Sequence, residues 1–230
     1  MTLEDFLGLM DILLGENGCP WDRAQTHESM RQYLLEESYE VIEAINKKDM
    51  ASLREELGDL LLQVVFHSKL AEKAGEFTIH DVIKEIAHKL VSRHTHVFGE
   101  DSAVSAEEVV AVWEGNKAKE RHKTPKEAME AVPKALPALT RAAKVILRSK
   151  QSAPEARELI KEIFIKLQFI ELEFDKCEKV MLNEEFGKIM LLIVKLAGVL
   201  DINAEFSLTN ATEEFINTSS PDNSALGGSI

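Results

Sequence analysis

Residues 53–67 read LREELGDLLLQVVFH, and the placement of this stretch decides the fold. At about 100° per residue, Glu56, Asp59, Gln63 and His67 share an arc of about 80° on one side of a helix. Leu57, Leu60, Leu61, Leu62, Val64, Val65 and Phe66 fill the ground on both sides of that stripe. A helix that is apolar nearly all round is usually a buried one. Runs of alternating, β-branched strand character are lacking along the whole chain. The stretch therefore predicts a helix packed inside an all-α protein, with a polar stripe facing the interior. Carboxylates in such a place are costly unless they are paired or hold a metal.

The preceding helix raises the same question. Residues 33–44, YLLEESYEVIEA, hold Glu36, Glu37, Glu40 and Glu43 and no basic residue. Like charges three or four apart on a helix repel by about 0.2–0.5 kcal/mol per pair. Glu43 has Lys47 four residues on; the other three have no such partner. Taken alone, this helix reads equally well as a solvated acidic face. Taken with Glu56 and Asp59, it offers a second set of acids at i, i+3, and two such helices can converge four carboxylates on one divalent cation. All-oxygen ligation completed by water favours Mg²⁺, with Mn²⁺ as substitute, over zinc. Magnesium usually bridges protein carboxylates to substrate phosphates, so phosphate chemistry is expected. A rival all-α class holds paired irons with two Glu-x-x-His motifs. This chain has one, Glu85 to His88, and Glu56-x-x-Asp59 where a second would be needed.

Positive charge follows in Lys84, Lys89, Arg93, His94 and His96. Lys89 and Arg93 are four apart and share a face, whereas Lys84 reads as a surface residue. Trp113, near Asn116 and Lys117, reads either as a core residue or as a platform for a base.

Helical periodicity predicts helices near 2–15, 27–47, 50–74, 78–96, 105–121, 134–149, 154–175, 178–201 and 208–216. Breaks fall at Gly15 to Pro20, Gly75, Gly99, Pro125, Pro133, Pro137 and Pro154. Asp22 with Gln25 three residues later predicts a capping box after the Cys19-Pro20-Trp21 turn. An internal repeat is also visible: LREELGD at 53–59 resembles LNEEFGK at 182–188. The offset of 129 holds without a gap to Glu76-Phe77-Thr78 against Glu205-Phe206-Ser207. Two related helical-bundle repeats are therefore expected. The boundaries are a catalytic domain over 1–123, a degenerate second repeat over 124–206, and a polar, disordered tail over 207–230.

With 230 residues and 45% hydrophobic content the chain can bury a core. A net charge of −13 argues against a general binder of nucleic acid or anionic membranes. Two cysteines, Cys19 and Cys177, are too few for a disulfide framework and suit a reducing compartment. The acidic, amphipathic N-terminus lacks the basic start of a signal peptide. The most apolar run, 189–200, is too short to span a bilayer. A soluble, cytoplasmic protein is expected.

Several motifs together resemble the MazG family of nucleoside triphosphate pyrophosphohydrolases. They are Gly18-Cys-Pro-Trp-Asp22 with Gln25-Thr26, Glu36-Glu37-x-x-Glu40, Glu55-Glu56-Leu-Gly-Asp59, Arg93-His-Thr-His-Val-Phe-Gly99, and Trp113 with Lys117 and Glu120. Their order covers roughly residues 1–122; the second unit resembles, more loosely, the C-terminal repeat of two-domain members. The resemblance implies a helical fold in which Glu37, Glu40, Glu56 and Asp59 hold Mg²⁺. It implies an enzyme, a hydrolase that cleaves nucleoside triphosphates between the α and β phosphates to monophosphate and pyrophosphate, in nucleotide-pool housekeeping. Lys89 and Arg93 match the family's phosphate-binding residues, and Trp113 and Lys117 join them as substrate contacts. Glu36, beside the ligand set, is the candidate for orienting or deprotonating the attacking water. A homodimer or higher oligomer is implied, with the site close to a subunit contact. The alternative is a non-catalytic nucleotide-binding or regulatory protein with a weakened site.

The second repeat departs from this pattern. The offset puts Lys188 in the place of Asp59, and the segment Lys161 to Leu167 keeps Glu162 alone where an acid pair belongs. It carries Lys89 to Thr218 and Arg93 to Asp222. The first repeat is thus expected to catalyse and the second to serve packing or dimerisation.

Overall fold

The computed structural model describes residues 2–121, 124–152 and 154–219, and the side chains of all of these except 118–121. The chain forms two compact units, Met1–Glu120 and Arg121–Ile230. The first is built from α1 (Leu3–Leu14), α2 (Pro20–Arg23), α3 (His27–Lys47), α4 (Met50–Lys73), α5 (Ile79–Arg93), α6 (Thr95–Phe98) and α7 (Ala106–Arg121). The second holds α8 (Pro125–Glu130), α9 (Ala138–Ser149), α10 (Ala156–Glu173), α11 (Lys179–Val199) and α12 (Ala204–Ser219). There is no strand among the described residues, and the fold is all-α. No helix among them is long and apolar enough to cross a membrane.

Local chemistry sets most helix starts. Thr2 with Asp5, Thr26 with Ser29, Thr78 with Asp81 and Thr124 with Glu127 each form reciprocal caps, which satisfy backbone N–H groups that the first turn leaves unpaired. Asp49 caps α4 by accepting from the Ala51 and Ser52 amides. The expected box between Asp22 and Gln25 does not form. Asp22 lies inside α2, which Pro20 opens, and Thr26 caps α3 instead. Gln25 still contributes, because its Oε1 accepts from the Ser29 hydroxyl at 2.6 Å.

Glycine is required at Gly18. A Cβ there would sit 2.1 Å from the Leu13 carbonyl oxygen, so only hydrogen lets the chain fold back onto the end of α1. The Cys19 amide then donates to that carbonyl at 2.9 Å.

Proline and backbone geometry moved other boundaries. The helix expected over 134–149 starts at Ala138, after Pro137, and α8 precedes it unforeseen. The helix expected over 78–96 ends at Arg93, because His94 leaves helical geometry at φ −97°, ψ 52°. In the segment expected as a polar tail, helix runs to Ser219, where Thr209, Thr212 and Thr218 bond back to carbonyls one turn earlier. Residues 220–230 lie outside the described residues.

The core of the first unit joins Leu7 and Met10 of α1, Met30 of α3, Val65 and Phe66 of α4, and Ile79 of α5. Leu159, Ile189, Leu192 and Val194 do the same for α10 and α11. One expectation fails here: α4 is buried along one face only. Leu57, Leu61 and Val64 remain 49%, 45% and 39% exposed. Within the first unit, α4 packs against α1, α3 and α5.

Replacing Met10, 1% exposed, by Ala should cost about 2–5 kcal/mol in chemical denaturation. Ile12→Ala on the open side of the same helix, 69% exposed, should stay within about 0.5 kcal/mol. Equal losses would contradict this assignment of the core.

Candidate active site

The turn between α3 and α4 is short and strongly specified. Lys48 takes left-handed geometry at φ 56°, and its amide donates to Ile45 while that of Asp49 donates to Ala44. α4 consequently packs back along α3, so acids spaced one turn apart on each helix meet across the seam. Ligand oxygens of Glu37, Glu56 and Asp59 all lie within 4.8 Å of one another. Glu40 lies beside them, within hydrogen-bonding reach of both Glu37 and Glu56. Among the described residues no other set of three or more His, Cys, Asp or Glu donors converges in this way. The Glu85-x-x-His88 pair of the rival iron class builds no such site; Glu85 is engaged by Lys89 at 2.5 Å.

Electrostatics mark this cluster as short of positive charge. The Glu37 carboxyl is raised above its ordinary 4.5, first by partial burial and then by the charges of Asp59 and Glu40. Glu56 is raised likewise, by desolvation first and then by Glu40, Glu55 and Asp59. The strongest charges acting on these two groups are those of other carboxylates. Glu43, by contrast, pairs with Lys47 as an ordinary exposed i, i+4 bridge. An all-oxygen donor set with unrelieved negative charge has the chemistry of a site for a hard divalent cation.

Glu36 is exposed on α3 and stands outside the group of converging oxygens. Lys89 is half-buried and bound to Glu85, and Lys117 meets Glu114 at 2.6 Å. Arg93 is 8% exposed, with its guanidinium carbon 5.3 Å from the centre of the Trp113 ring, a cation–π contact. The His94 ring stands edge-to-face with the same indole, their centres 4.8 Å apart and their planes 66° apart. Trp113 is thus neither plain core nor free platform: it is a half-buried wall of a basic and aromatic corner. Asn116 braces the corner by donating to the Thr95 hydroxyl at 2.8 Å. The side chain of Glu120 lies outside the described residues.

Sequence reasoning missed one pair. His27 at the start of α3 and His67 on the α4 stripe stack in parallel, with Nδ1 atoms 2.8 Å apart. Burial, and then His27, hold the His67 imidazole below its usual range. His67 was visible as a member of the stripe; nothing in the local sequence pointed to His27, forty residues earlier.

A family model described as the MazG nucleotide pyrophosphohydrolase domain matches residues 25–98. That segment contains the whole carboxylate cluster, Lys89 and Arg93, and stops before Trp113. Over 219 residues, 94% of this chain and 83% of the relative, the chain is 38% identical to a protein of Thermotoga maritima named nucleoside triphosphate pyrophosphohydrolase/pyrophosphatase MazG. It is 39% identical over 206 residues to the nucleoside triphosphate pyrophosphohydrolase of Escherichia coli K12, covering 87% of this chain and 78% of that one. A Mycobacterium tuberculosis protein named nucleoside triphosphate pyrophosphohydrolase is 42% identical over 163 residues, 70% of this chain and 49% of its own.

The raised carboxyls give a signed prediction. A carboxyl whose folded pKa lies above its unfolded value opposes folding as pH rises through that interval, and the penalty is complete above it. In EDTA at neutral pH, Glu37→Gln should therefore melt higher than the parent chain, and the gain should fade as pH drops toward 4.5. Divalent cation should stabilise the parent chain more than the variant, because only the parent keeps the full donor set. Thermal melts showing no difference between the two proteins in EDTA would contradict the clustering.

Proposed function

We propose a site and a mechanism from one premise: the chain belongs to the MazG family of nucleotide pyrophosphohydrolases, and it is a nucleoside triphosphate pyrophosphohydrolase. The reaction is assigned to the α3–α4 seam, where Glu37, Glu40, Glu56 and Asp59 would hold Mg²⁺. The observation that supports this reading is the convergence of three carboxylates within 4.8 Å, two of them raised by partial burial and by neighbouring carboxylates. Phosphate substrates are the usual partners of a magnesium ion held by few carboxylates.

When bound, the ion supplies neutralisation of charge on the phosphates. The chain's own groups do the rest. Glu36, exposed one residue before Glu37, accepts a proton from the attacking water. The water oxygen bonds to phosphorus as the bridging bond between the α and β phosphates breaks, giving monophosphate and pyrophosphate. Lys89 and Arg93 bind the phosphates. The Lys89–Glu85 pair is partly exposed, at 42% and 70%, so it is weakly held and can yield to a phosphate. Arg93 keeps its place through burial and the Trp113 ring. Trp113 and Lys117 contact the nucleoside end of the substrate.

The protein acts as a homodimer or higher homo-oligomer in this reading. Leu57, Leu61 and Val64 on α4, together with Ile83, Ile86 and Leu90 on α5, expose more apolar surface than scattered surface residues require.

A panel of nucleoside triphosphates with Mg²⁺ should yield pyrophosphate; orthophosphate alone would point to stepwise dephosphorylation. Asp59→Asn should lower the rate by at least about 100-fold, in keeping with several kcal/mol of charge stabilisation. Lys188→Ala in the second unit should leave it within about twofold. Full activity in Asp59→Asn would sink the assignment.

A further inference from the structure

The second unit holds a different arrangement of charge at the matching positions. α3 and α4 begin at 27 and 50; α10 and α11 begin at 156 and 179, each 129 residues later. The same offset relates buried Met30 to buried Leu159, and buried Val65 to buried Val194. It carries Glu56 to Glu185, Asp59 to Lys188 and Glu37 to Lys166. In the α10–α11 hairpin Lys166 Nζ donates to Glu185 Oε2 at 3.0 Å, and Lys188 Nζ donates to Glu185 Oε1 at 2.6 Å. Lys166 and Glu185 are well covered, at 23% and 16% side-chain exposure. Glu40 corresponds to Phe169, which carries no charge.

The two seams therefore solve one problem with opposite signs. Three carboxylates in α3–α4 need positive charge from outside. One carboxylate in α10–α11 is gripped on each oxygen by a lysine, one from the facing helix and one from its own. Loss of a metal site alone would require only neutral residues. Here both acids flanking the central glutamate are replaced by cations, and both of those touch the glutamate. An ammonium group is a compact charge with three donors, suited to reach one carboxylate oxygen from a flexible stem. Glu185 is held below the usual carboxylate range by Lys188 and Lys166.

We propose that Lys166 and Lys188 are resident replacements for a divalent cation, so that α10–α11 is an internally neutralised copy of the metal seam. This hairpin binds no divalent ion, and its closure is independent of metal. The inference rests on reading Glu37, Glu56 and Asp59 as a metal site.

The test uses Mn²⁺ alone as probe, titrated into the full chain and followed by electron paramagnetic resonance. Glu185→Gln should leave Mn²⁺ binding unchanged, and Asp59→Asn should abolish it. Lys166→Glu combined with Lys188→Asp restores the Glu-Glu-Asp set on α10–α11 and should add a second class of Mn²⁺ sites. Hydrogen exchange reads the hairpin directly. Glu185→Gln should speed amide exchange in α10 and α11 several-fold, equally in EDTA and in Mg²⁺. Loss of Mn²⁺ binding in Glu185→Gln, a charge-swapped chain that is helical yet gains no site, or Mg²⁺-dependent protection of α10–α11 would each overturn the proposal. Should the charge-swapped chain fail to fold, the exchange experiment decides. If Asp59→Asn retains Mn²⁺ binding, the first-unit reading fails, while the lysine clasp is still judged by exchange in Glu185→Gln.

Discussion

Everything at the site follows from how α3 and α4 are made to pack. Lys48 and Asp49 turn the chain within two residues, and the apolar contacts of Met30, Val65 and Phe66 fix the pair against α1 and α5. That packing leaves no freedom in which side chains face each other further along the seam. Glu37, Glu40, Glu56 and Asp59 are brought together by a hydrophobic contact that gains nothing from their charge. The repulsion among them is the cost of the site. It is tolerable because the cluster lies beside the core and remains partly wetted, where carboxyls raised in pKa still exchange protons and ions with solvent.

The parts of the fold that were readable in the sequence are those governed by local rules. The starts of α3 and α4 stand where periodicity puts them, because capping chemistry and the apolar stripe agree there. Where two local signals compete, the sequence misleads. Asp22 and Gln25 have the spacing of a capping box, yet Pro20 nucleates a short helix through Asp22 and leaves the capping to Thr26. The break at His94 has no proline or glycine to announce it. The carboxylates could be singled out because helical spacing fixes which of them share a face. The surroundings of Lys89, Arg93 and Trp113 could not, since the burial of Arg93 beneath Trp113 depends on where α7 returns, twenty residues on.

The half-covered state of α4 has a physical consequence for the site. α4, apolar almost all round, leaves Leu57 and Leu61 exposed beside Glu56 and Asp59 among the described residues. A second copy of the chain laid over that face would exclude water next to the carboxylates. Exclusion of water strengthens electrostatic interactions of the cluster, repulsive without a cation and attractive with one. Under the proposed function, self-association and cation binding would then favour each other.

The second unit shows which features of the seam are separable. α10 and α11 keep the packing, with Leu159 and Val194 buried where Met30 and Val65 are buried, and they reverse the charge. A helical hairpin of this kind therefore closes on its apolar packing, and the charge along its seam can vary independently. In α3–α4 the strongest charges acting on Glu37 and Glu56 are those of other carboxylates, and under the proposed function a bound cation would supply the positive charge. In α10–α11 Lys166 and Lys188 each hold one oxygen of Glu185, so the positive charge comes from the chain's own side chains. Charge along the seam, rather than the packing beneath it, is what separates α3–α4 from α10–α11.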